Sequence, residues 1–157
     1  MSKIFPCLWF DGQAEEATNF YLGIFPDAKL TKMLRCGDAG PGPKGSVLTC
    51  EFELAGQRFL ALNGGSQYKF TPAISMSVDC ETQAEVDHYW DKLLDGGQTM
   101  ACGWLTDRFG LSWQIVPTML PRLLTDPDAA KAARVMRAMM GMIKLDIAAL
   151  QRAADGG

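Results

Sequence analysis

Apolar residues recur at every second position over 46–54, where Leu48, Cys50, Phe52 and Leu54 alternate with Val47, Thr49, Glu51 and Glu53. That period predicts a strand with one covered face. The same alternation runs over 3–10, 57–63 and 73–79. It returns at 111–116, where Leu111, Trp113 and Ile115 alternate with Ser112, Gln114 and Val116. Further strands are predicted near 28–36 and 98–102. Ala55-Gly56 and Asp107–Gly110 supply hairpin turns, with Gly110 free to take the positive φ such turns often need. Elsewhere the period lengthens to 3.6. Ala14, Ala17, Phe20, Tyr21, Ile24 and Phe25 make one helical face behind a cap at Asp11 or Gly12. Val86, Tyr89, Trp90, Leu93 and Leu94 make a second over 82–94, closed by Asp95-Gly96-Gly97. Asp126-Pro127-Asp128 reads as an N-cap, an N1 proline and a first-turn acid, opening a methionine-rich helical tail that Gly141 divides.

The order is strand, helix, three strands, and then the same again. Gln13-Ala14-Glu15 recurs as Gln83-Ala84-Glu85, and Gly56 with Phe59 three residues on recurs as Gly110 with Trp113. Ordered echoes of this kind predict two copies of one unit. The expected fold is α+β: two βαβββ modules, about 3–64 and 72–117, with C-terminal helices over 118–154, all in a single domain spanning 1–157.

Bulk properties narrow the function classes. The 157 residues carry a net charge of −3 with no basic stripe, which argues against nucleic acid as a partner. No apolar run approaches the ~20 residues needed to span a bilayer, so no membrane role is expected. The start lacks the features of a signal peptide. Five cysteines without CxxC spacing suit reduced thiols in a cytoplasmic protein, Cys7 among them as a buried, inert thiol.

Strand parity places the candidate site. The helices must cover Leu8/Phe10, Leu48/Cys50/Phe52/Leu54, Phe59/Ala61, Ile74/Met76/Val78 and Leu111/Trp113/Ile115. The opposite members then line the concave sheet faces, and from these we take Cys7, Trp9, Thr49, Glu51, Leu60, Ser75, Ser77 and Gln114 as candidate ligand-binding residues. This mixed surface suits a small organic molecule. Trp9 would stack on it, and Gln114, Ser75 and Ser77 would orient it by hydrogen bonds. Glu51 is either a general base raised by desolvation or a strand carboxylate paired with Arg58. His88, the sole histidine, lies off the apolar helix face. Asp107-Arg108 reads as a local ion pair in a turn. The glycine- and proline-rich loop CGDAGPGPKG is either a surface loop or a lid.

The segments LWFDGQAEEATNFY (8–21), GSVLTCEFELAGQ (45–57), ALNGG (61–65), CETQAEVDHYWDKL (80–93), CGWLTDRFGLSWQIVP (102–117) and KLDIAAL (144–150) resemble the PhnB-like branch of the vicinal-oxygen-chelate superfamily. That branch is often labelled demethylubiquinone methyltransferase-like, and the superfamily includes glyoxalase, bleomycin-resistance proteins and dioxygenases. The resemblance implies a homodimer with a concave site. It also implies metal ligands at about Phe5, Leu60, Ala73 and Gln114, where this chain offers no imidazole or carboxylate. No glycine-rich turn suited to adenosylmethionine is found. The expectation is therefore small-molecule binding without a metal or other cofactor. An enzyme with a displaced metal site or with Glu51 as base, or a module whose cavity is filled by side chains, are the alternatives.

Overall fold

The computed structural model describes residues 2–157, and the chain divides into two units, one running to Phe70 and the other Thr71–Gly157. In the first, β1 (Cys7–Phe10), α1 (Ala14–Leu22), β2 (Lys29–Arg35), β3 (Val47–Leu54) and β4 (Gln57–Asn63) build a sheet of order β1-β4-β3-β2. β1 runs parallel to β4, and the other pairs are antiparallel. In the second, β5 (Ser75–Cys80), α2 (Gln83–Leu94), β6 (Gln98–Thr99), β7 (Trp104–Thr106) and β8 (Ser112–Pro117) repeat this plan as β5-β8-β7-β6. Three helices follow: α3 (Met119–Leu124), α4 (Ala129–Met140) and α5 (Ile147–Ala154). The α+β fold of two βαβββ modules and a helical tail is the one expected from the periodicities.

Each helix covers one sheet face. Ala14, Ala17 and Tyr21 of α1 are buried, with Tyr21 stacked on Phe52 and Phe52 on Phe59. Val86, Tyr89, Trp90 and Leu93 of α2 are likewise buried, as are Leu105, Trp113 and Ile115 of the strands. No residue next to α1 caps it from its own chain neighbourhood; the N-cap is Gln13, not Asp11 or Gly12, and makes no side-chain bond. Instead Asn63 of β4 accepts from the Ala14 N–H at 2.9 Å and donates to the Val47 carbonyl at 3.0 Å. One amide thus fixes helix, strand and strand together.

Several boundaries move from the expected ones. β1 begins only after Pro6, which lacks an N–H and keeps a single link, its carbonyl accepting from Leu60 N–H at 3.0 Å. β5 begins at Ser75, because Thr71 turns the chain: its hydroxyl accepts from Ala73 N–H. Ile74 is therefore exposed and not part of the helix-covered face. The strand near 98–102 stops at Thr99, where Cys102 and Gly103 take positive φ. In the tail, Asp128 rather than Asp126 is the N-cap of α4, accepting from Ala130 and Lys131 N–H, while Asp126 caps the Asp128 amide. α3 lies within the helical tail expected over 118–154, ahead of the start read at Asp126; its Pro121 falls in the first turn, where no intrahelical N–H is lost.

The tail has a small core of Leu120, Val135, Leu145, Leu150 and Ala154 and is tied to the second module by polar contacts. Gln83 of α2 accepts from Ile147 N–H at 2.8 Å and donates to Leu145 O and to Asp87. Asp87 also pairs with Lys144 at 2.9 Å. These bonds, led by Gln83, hold the Asp87 carboxyl below its usual range. A depressed carboxylate contributes stability above its unfolded pKa and loses it as pH falls through the folded value. Acid unfolding of Asp87→Asn should therefore begin from a lower neutral-pH stability and show a shallower slope below about pH 4. Chemical denaturation at stepped pH measures this.

Candidate functional site

On the face of the first sheet turned away from α1, register aligns Cys7, Leu60, Glu51 and Lys32 in one row and Trp9, Leu62, Thr49 and Leu34 in the next. The parity assigned from sequence therefore holds across this sheet. The side chains, however, are already engaged. Glu51 is paired with Arg58, whose guanidinium lies 3.8 Å from the centroid of the Phe5 ring. The Arg58 hydrogen bond holds Glu51 below the usual carboxylate range, opposite to the shift a general base needs. Trp9 donates to Gly65 O at 2.9 Å and meets Tyr68 edge to face. A Cβ on Gly64 would lie 2.4 Å from the indole, so ALNGG is the seat of Trp9 as well as the helix cap. Cys7 is exposed, not buried as expected, yet neighbouring protein raises its pKa and leaves little thiolate at neutral pH.

Across the second sheet, Ser75 lies opposite Ser112 and Ser77 opposite Gln114, while Gln114 also faces Trp104. The Gln114 amide donates to Ser75 Oγ at 2.9 Å, so two of the predicted residues are brought together; Ser77 is exposed. Ser112 Oγ is buried and has no hydrogen-bond partner among the described residues.

Beside Gln114 a cavity of about 400 Å³ opens. Cys102, Trp104, Gln114 and Val116 form its sheet wall. Leu120, Pro121, Leu124, Thr125, Met139 and Leu145 of the tail form the other. Only Gln114 among the predicted site residues lines it. Trp104 and the tail residues were missed. Trp104 had a signal, since it precedes a turn and pairs with Gln114; the tail contacts depend on long-range packing that no local pattern encodes.

A second cleft, of about 560 Å³, lies at one end of the first sheet. Asp11, Glu15, Arg35 and Asn63 give it polar walls, and the 36–46 loop borders it through Pro41, Gly42 and Pro43. Arg35 is turned onto the loop, donating to Gly45 O at 3.1 Å.

Arg108 bridges to Asp95 at 2.9 Å. Asp107 is buried and accepts from Phe109 N–H, Leu111 N–H and Trp113 Nε1–H.

The paired βαβββ sheets define a member of the vicinal-oxygen-chelate superfamily. The family described as 3-demethylubiquinone-9 3-methyltransferase matches residues 2–116, and the chain belongs to it. A putative 3-demethylubiquinone-9 3-methyltransferase, PhnB protein, from Bacillus cereus is 36% identical with a TM-score of 0.69; the match covers 74% of this chain and 100% of that one. Protein PA1353 from Pseudomonas aeruginosa shares the fold at 23% identity and a TM-score of 0.63, over 74% of this chain and 98% of that one. The fosfomycin resistance protein FosX from Listeria monocytogenes, complexed with Mn(II) and sulfate, shares it at 17% identity and a TM-score of 0.53, over 73% and 89%. No curated protein matches.

Leu60 and Gln114 stand at two of the expected ligand positions, and the other two, Phe5 and Ala73, lie outside the strands. Among the described residues no three His, Cys, Asp or Glu side chains cluster as a metal site. The β1–α1 turn has one glycine, and the first helical N–H there is taken by Asn63. Among the described residues no helix is long and apolar enough to cross a membrane.

Proposed function

We propose that this chain is a homodimeric, cytoplasmic small-molecule-binding protein that works without a divalent metal, holding its ligand against the concave face of the second sheet. The observation that carries this is the cavity beside Gln114: about 400 Å³, within the range of small-ligand sites, walled by apolar side chains around one tethered amide. Exposed Met136, Met140 and Ile143 on the tail support pairing of two copies.

A ligand that binds only the folded state raises its melting temperature by mass action. A thermal-shift screen of small metabolites should yield stabilising compounds, and Gln114→Ala should remove most of the shift while Trp9→Phe leaves it. Elemental analysis of the purified protein should return no stoichiometric Ni, Zn, Mn or Fe, and light scattering should give twice the 17.2 kDa chain mass. Stabilising ligands indifferent to Gln114, or a stoichiometric metal, would overturn the reading.

A further inference from the structure

We infer that the C-terminal segment is the specificity element of this chain: it walls an apolar chamber beside Gln114 and selects uncharged, mainly apolar ligands that carry a hydrogen-bonding group. This rests on the small-molecule reading above and adds the ligand's chemical class and the residues that set it.

The family match ends at residue 116, and 74% of this chain accounts for the whole of the Bacillus cereus relative. The chamber's second wall is built beyond that point, from Leu120, Leu124, Met139 and Leu145. It is therefore an addition to the family's common framework.

The chemistry of the chamber selects its occupant. No lining residue is charged. A charged ligand would lose its hydration there with no counter-charge to meet it, a cost of several kcal/mol. The polar groups that remain are neutral: the Gln114 amide, the Thr125 hydroxyl, the Trp104 indole N–H and the Cys102 thiol. Thr125 donates its hydroxyl proton to Pro121 O at 2.8 Å. Gln114 is turned to Ser75 through its NH₂, which leaves its carbonyl oxygen to accept one bond from a ligand N–H or O–H.

The wall is also held in place before any ligand arrives. Cys102 N–H donates to Met142 O at 2.9 Å and Gly103 N–H to Ile143 O at 2.8 Å. Gln83 binds the chain on both sides of Asp146, at Leu145 O and Ile147 N–H. A preformed chamber binds without the ordering cost of a mobile lid.

The test uses the full chain and two fluorescent probes. N-phenyl-1-naphthylamine is neutral and has one N–H donor; 8-anilino-1-naphthalenesulfonate keeps the rings and adds a sulfonate. Titration should show the neutral probe bound at least about tenfold more tightly. Leu124→Trp, which fills the chamber from the tail, should weaken it about tenfold or more. Met139→Trp fills the chamber from another helix and is the second variant should the first unseat the tail, with circular dichroism reporting the fold. Equal binding of both probes, or no binding of the neutral one, overturns the inference. So does a loss on Gln114→Leu with no effect of either folded tail variant, an outcome that leaves the small-molecule reading standing. Indifference to Gln114→Leu as well removes both.

Discussion

Asp107→Ala should destabilise the second unit by roughly 3–5 kcal/mol in chemical denaturation. The carboxyl is buried and serves three donors: the amides of Phe109 and Leu111 at 2.9 and 3.1 Å, and the Trp113 indole at 2.9 Å. Alanine removes the acceptor from all three, and the two buried donors, Leu111 N–H and the indole, cost about 1–3 kcal/mol each when unpaired. Asp107→Asn separates the contributions. Its oxygen still accepts from the two amides, but its NH₂ then faces the indole N–H, donor against donor. That variant should lose about 2 kcal/mol. Adding Trp113→Phe removes the opposing donor, so the double mutant should be more stable than the sum of the single losses predicts. Strict additivity would show that the indole bond contributes nothing.

The second large effect is expected at Gly103. Its φ is +85°, and a Cβ there would lie 2.8 Å from Leu145 Cδ1 and 3.1 Å from Ile115 O. Gly103→Ala combines a left-handed conformation disfavoured by about 1–2 kcal/mol with overpacking of about 1–3 kcal/mol. The total, roughly 2–5 kcal/mol, falls on the joint between tail and sheet, because Gly103 and Cys102 donate to the 142–143 carbonyls. Hydrogen exchange should then speed up at these two amides and along α5 before it does in α2. Uniform acceleration across the unit would mean that the tail is not a separable layer.

What could be read from the sequence follows from the range of the interactions. Alternation alone separates Cys50, Phe52 and Leu54, under α1, from Thr49 and Glu51, because parity is a local property of the chain. The turn at Gly110 is equally local. The α1 cap was not legible, since Asn63 lies 49 residues from the amide it serves. The bond from the Trp113 indole to buried Asp107 and the bridge from Arg108 to Asp95 were not legible either, since each joins residues that no local period relates. Of the candidate site, the face was legible and Gln114 with it. The roof was not, because Leu124 and Met139 belong to helices whose apolar residues could serve a core, a partner or a cavity wall equally well.

Among the candidate residues, Gln114 is the one that joins both halves of the account. Its side chain is tethered to Ser75, lies beside Trp104 and fronts a chamber with no charge. A proton–nitrogen correlation spectrum of the full chain, recorded as N-phenyl-1-naphthylamine is added, tests this most directly. The account predicts shifts at the Gln114 side-chain amide and the Trp104 indole, with the Trp9 indole and the Asn63 amide unmoved. Shifts at Trp9 or Asn63 with Gln114 and Trp104 unchanged would contradict it.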